Sequence, residues 1–102
     1  MKIVFVLPLI SKNGAGVAEA PKGLAVALAR HGGLKVDALA LEDEDSKDSR
    51  RLWPGVDCHL LKPGPFGFVC GLSNTLEALK PDVLHIHGLW VGIGIQAAAW
   101  AV

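Results

Sequence analysis

Two histidines, His85 and His87, interrupt an otherwise apolar run, DVLHIHGLW, at residues 82–90. Two positions apart, they point to the same face if the run is a strand. Imidazole donates or accepts a hydrogen bond near neutral pH, which suits a hydroxyl-bearing ligand. His87 precedes Gly88, where the strand opens out, so it is expected to meet a ligand. His85 lies inside the run and reads as a hydrogen-bonded core histidine important for stability. The second group is Gly14-Ala15-Gly16, which follows an apolar N-terminal run. Small residues there let backbone N–H groups approach a phosphate, and a following helix presents its positive end. Taken alone, the group fits a plain tight turn as well. Glu19 stands where a dinucleotide fingerprint has its third glycine. Lys12 and Asn13 share this loop, facing a phosphate or solvent, and Trp90 suits either a sugar face or a cover for the sheet end. Cys58, Cys70, His85 and His87 match no zinc spacing, so no metal is expected.

These residues need a scaffold, and the hydrophobic pattern supplies one. Residues Lys2–Ile10 form a continuous apolar run, as in a central parallel strand covered on both faces. A helix is expected over residues 17–32, with Val17, Leu24, Leu28 and His31 along one stripe and Gly32-Gly33 as its stop. Pro21 is tolerable only in the first turn of that helix. Leu34–Leu41 reads as a second strand, and the charged segment 42–51 as a solvated loop. Val56–Leu61 reads as a short third strand between Pro-Gly pairs. Residues 66–80 carry Leu72, Leu76 and Leu79 at helical spacing, with Asn74 and Glu77 available as a capping box. Asp82–His87 is the fourth strand, and Val91–Val102 the final helix. The alternation predicts an α/β, Rossmann-like parallel sheet in the order 3-2-1-4, with helices on both faces. Such sheets bind ligands beyond the carboxyl ends of their strands, where the glycine loop and His87 both fall.

Bulk properties narrow the choices further. A chain of 102 residues accommodates one domain, here residues 1–102. Ten basic residues balance ten acidic ones, and no basic face is interleaved with aromatics. A nucleic-acid partner is therefore not expected. Two cysteines without a CxxC pair suit a reduced, cytoplasmic protein, with a peripheral membrane position left open. The start MKIVFVLPLI has one positive charge and no small-residue cleavage site after its apolar run, so it reads as a strand and not a leader. The tail GLWVGIGIQAAAWAV is interrupted by Gln96 and is shorter than the roughly 20 residues of a membrane span.

Taken together, MKIVFVLPLIS, GAGVAEAPKGLAVALARHG and LKPDVLHIHGLW resemble the N-terminal domain of group 1 (family four) glycosyltransferases. The resemblance covers residues 1 to about 100 and is most specific around Asp82–Trp90. It implies the GT-B architecture, two Rossmann-like domains facing each other across a cleft. It implies transfer of a sugar from a nucleotide-sugar donor, bound as substrate with no cofactor, to a glycan or lipid-linked acceptor. The family's paired-glycine loop falls on Ala15 and Gly16, which would border the donor diphosphate, with Ala15 in place of one glycine. Its histidine-glycine pair falls on His87 and Gly88, on the acceptor side, near Trp90. The later strands of this domain, with their further histidine, and the glutamate-bearing C-terminal domain are not represented. The chain thus reads as part of an N-terminal domain, inactive alone and prone to self-associate through its open sheet edge or with a missing C-terminal half. Two rivals stand beside it. One is a dinucleotide module with Gly14 and Gly16 on a pyrophosphate and Glu42 or Asp43 on a ribose. The other is a non-catalytic truncated or split subunit.

Overall fold

The computed structural model describes residues 1–11, 16–64, 69, 71–87 and 92–101, with backbone alone for 16–19. Four strands, β1 (Lys2–Val6), β2 (Lys35–Leu41), β3 (Asp57–Leu61) and β4 (Val83–Ile86), form one sheet. Its order is β3-β2-β1-β4 and every pair is parallel. The helices are α1 (Gly16–Ala29), α2 (Ser46–Ser49), α3 (Leu72–Leu79) and α4 (Gly92–Ala101), with a 3-10 turn at Arg50–Leu52. The expected fold class and strand order are therefore present.

Side-chain alternation along the central strands builds two cores. Ile3, Phe5 and Leu7 join Val36, Ala38 and Ala40 beneath Ala25 of α1. Val4, Val6 and Leu39 face the other way, toward Leu72 and Leu76 of α3 and Ile93 of α4. Burying each large aliphatic side chain contributes about 1.5–3 kcal/mol, so both layers are needed to hold the sheet. The first strand ends at Val6, well short of Ile10. Pro8 has no N–H to continue a ladder, although its carbonyl still accepts from Leu41 N at 2.9 Å.

The apolar stripe of α1 differs from the expected one. Pro21 and Ala25 are buried, whereas Leu24 is 42% exposed and His31 is also exposed. Small residues on the inner side let the helix lie close to the sheet, and that sets its rotation. Because α1 begins at Gly16, Pro21 falls in the second turn and not the first. Its buried ring offsets a missing N–H donor there.

Two further segments depart from expectation. Residues 42–51 are not simply a solvated loop. Ser46 is fully buried, accepts from Asp43 N at 3.1 Å and donates to Asp43 O at 2.8 Å, folding the segment into α2. The α3 helix starts only at Leu72, with Gly71 as its N-cap in the left-handed region at φ 82°. Asn74 therefore lies inside the first turn and is not the N-cap. Gln96, the polar break in the apolar tail, pairs its amide with both Val69 N (2.8 Å) and Val69 O (2.9 Å). No helix among the described residues is long and apolar enough to cross a membrane.

Candidate functional site at the strand switch

The order β3-β2-β1-β4 places the switch point between β1 and β4. The chain leaves β1 through α1 toward β2 on one side, and reaches β4 through α3 from the far edge. The carboxyl ends of β1 and β4 thus flank the crevice where sheets of this type take ligands. Backbone bonds fix His87 there, because His87 N donates to Val6 O at 2.7 Å. At the opposite end, Asp82 N donates to Lys2 O at 2.8 Å, and Lys2 N donates back to the Asp82 carboxylate at 2.8 Å. Gly16 opens α1 at the same end of the sheet as His87. Ala15, Gly88 and Trp90, with Lys12, Asn13, Gly14 and Cys70, lie outside the described residues.

The two imidazoles share one face of β4, as their spacing implied. Register puts Phe5 directly beside His85. The Phe5 and His85 rings stack at 4.9 Å and 19°, and His85 and His87 stack at 4.3 Å and 14°. Phe5 and His87 are nearly parallel at 5.9 Å. His85 is half-buried on an edge strand of the described sheet and packed against other rings, so it is not the deeply buried core histidine expected from its place in the run. His87 is also half-buried, with Nε2 closed off from solvent and without a hydrogen-bond partner among the described residues. Burial pushes the His87 imidazole below its ordinary pKa of 6.5, and the neighbouring His85 lowers it further. The ring therefore favours its neutral form, able to accept or donate one hydrogen bond.

A pH effect follows from that shift. Below about pH 6.5 the unfolded chain takes up a proton at residue 87 before the folded one does. Stability should fall as pH drops below this value and level off below the folded pKa. His87→Gln should flatten the slope of urea midpoints across roughly pH 5 to 8. An unchanged slope would contradict the depressed folded value.

Other polar groups are settled elsewhere. Asp43 accepts from Ser11 Oγ at 2.5 Å and from Asp45 N at 3.1 Å, so its carboxylate fastens the segment after β2. That occupation counts against Asp43 as a ribose ligand. Cys58 and His85 lie on opposite edge strands, roughly 14 Å apart at the usual strand spacing. They share no metal, and no cluster of three or more metal-ligating side chains exists among the described residues. Burial pushes the Cys58 thiol up to about 11, which leaves it protonated and unreactive at neutral pH.

Two features escaped the sequence reading. A cavity of about 280 Å³ lies between the end of β1, α1 and the α2 segment, lined by Ile10, Ser11, Lys22, Asp48, Arg51 and Leu52. The other is a charged cluster toward the amino ends of β2 and β3. There His59 Nε2 meets the buried Asp37 carboxylate at 3.0 Å, and Lys35 pairs with Asp57. The Lys35 ammonium holds the Asp57 carboxyl below its usual range, and Asp57 raises Lys35 in turn. The signal was the lone Asp37 in the apolar run VDALAL, but only register reveals its partner. Comparison with protein-family models, curated proteins and solved structures gives no match to this chain.

Proposed function

We propose that this chain forms one wall, the acceptor side, of the cleft of a nucleotide-sugar-dependent glycosyltransferase. The observation that carries the reading is His87, a neutral-leaning imidazole at the carboxyl end of β4, bonded through its backbone to the end of β1 at the switch point. An imidazole with little tendency to protonate suits a hydroxyl group better than a phosphate, which favours the acceptor or the transferred sugar as its partner. Gly16, with Ala15 before it, supplies the start of α1, a site where N–H groups and the helix dipole favour a diphosphate. Gly88 and Trp90 adjoin His87 in sequence and complete the acceptor side in this reading. The resemblance of the DVLHIHGLW stretch to family four enzymes supports the same assignment.

Sugar transfer requires the anomeric carbon, the leaving diphosphate and the acceptor hydroxyl to be held together, and that positioning supplies much of the rate. The departing diphosphate also needs preorganised donors as charge develops on it. One helix start and one imidazole supply part of this. The 102-residue chain is therefore expected to bind nucleotide sugars weakly, with Kd on the order of millimolar, and to transfer nothing by itself. Calorimetry and a product assay with uridine- and guanosine-diphosphate sugars test this. His87→Ala should weaken the binding without lowering the melting temperature appreciably. Reproducible transfer by the isolated chain, or binding indifferent to His87→Ala, would overturn the assignment.

A further inference from the structure

The position of His87 raises a question that its backbone bond does not answer. Its imidazole could rotate about two side-chain torsions, and no hydrogen bond to a described residue fixes the ring. In many sites a carboxylate or carbonyl performs that task for a functional histidine. The carboxylates of Asp82, Asp37 and Asp43 are each engaged by other groups. Asp82 is at the amino end of β4, tied to Lys2 N, and Asp37 is on β2 with its side chain paired to His59. What does touch the His87 ring is a pair of parallel aromatic surfaces, His85 at 4.3 Å and Phe5 at 5.9 Å.

We infer that His85 is a positioning residue for the switch-point site, acting with Phe5 as a stacked platform that sets the ring plane of His87. The inference deepens the proposed function and reassigns His85 from a purely structural role. Phe5 is fully buried and pinned between β2 and β4, so it is the fixed member of the trio. His85 stands next to it across the strand pair and bridges it to His87. Parallel rings at these distances attract one another, which biases a torsion that no hydrogen bond to a described residue holds.

Proton NMR of the imidazole ring hydrogens, recorded against pH on the whole chain, tests the inference without any ligand. His85→Phe keeps a flat ring at the same place in the stack. In this variant the His87 ring-hydrogen shifts should stay near those of the parent. His85→Ala removes the platform, and the His87 ring signals should move toward those of a freely rotating imidazole. His87 signals displaced as far in His85→Phe as in His85→Ala, or unchanged in His85→Ala, would overturn the inference. A second arm uses uridine-diphosphate glucose as the probe. If the parent binds it, His85→Phe should hold the affinity within about twofold, and His85→Ala should lose roughly tenfold, the effect of one misaligned hydrogen bond. Equal affinity in His85→Ala and the parent would also overturn it. Failure of the parent to bind would count against the glycosyltransferase reading alone, because the NMR arm decides the role of His85 independently.

Discussion

Trp53→Ala is expected to destabilise the fold by about 3–5 kcal/mol, the range for removing a buried aromatic side chain. Trp53 is 1% exposed and packs in the same core layer as Leu7, Ile10, Ala25, Ala40 and Val56. Its indole Nε1–H donates to the Ile10 carbonyl at 3.3 Å, tying the segment after the 3-10 turn to the chain leaving β1. Truncation both opens a cavity that these neighbours can only partly fill and leaves the buried carbonyl without its donor. Domains of this size are stable by about 5–15 kcal/mol, so the loss is a large share of the total. Trp53→Phe keeps an aromatic ring in the core but loses the donor and the second ring of the indole. Its cost should be smaller, about 1–3 kcal/mol. Urea unfolding followed by far-ultraviolet circular dichroism gives both values. A loss below about 1 kcal/mol for Trp53→Ala would show that the indole is not packed as described.

Phe5→Ala should cost a similar amount, about 3–5 kcal/mol, and should also disturb the switch-point site. Phe5 is completely buried in the central strand, and its ring underlies both imidazoles. Alanine removes contacts to the α1 layer and the stacking surface at once. Phe5→Leu is the informative companion, because it restores most of the volume and should cost less than about 1.5 kcal/mol. It still lacks an aromatic face, so the His85 and His87 ring-hydrogen shifts should move in Phe5→Leu despite near-parent stability. Denaturation midpoints and the imidazole spectra, measured on the same samples, separate packing from stacking. If Phe5→Leu leaves those shifts where they are in the parent, the ring contacts do not order the two histidines.

The periodicity of this sequence was enough to specify the kind of fold. A long apolar run at the N-terminus, apolar strands separated by helical spacings, and Gly or Pro at the junctions are local features, and a parallel sheet is the arrangement that buries strands of this kind on both faces. The order 3-2-1-4 follows once crossovers are right-handed and the first strand is central. The end of the sheet that holds the candidate site was legible for the same reason, since the carboxyl ends of β1 and β4 are defined by strand order. Its internal arrangement was not. His85 looked like a core residue because it lies within an apolar run, but β4 is an edge strand of the described sheet, and the ring is half-buried there. Its contact with Phe5 joins positions 80 residues apart in the chain and depends on which residue of β4 faces which residue of β1. Asp37 and His59, separated by 22 positions, meet for the same reason. The rotation of α1, which buries Pro21 and Ala25 and turns Leu24 outward, depends on how closely the helix approaches the sheet. Residue type and spacing determine the elements and their order. Register and close packing decide which side chains touch, because those contacts form only after distant segments of the chain are brought together.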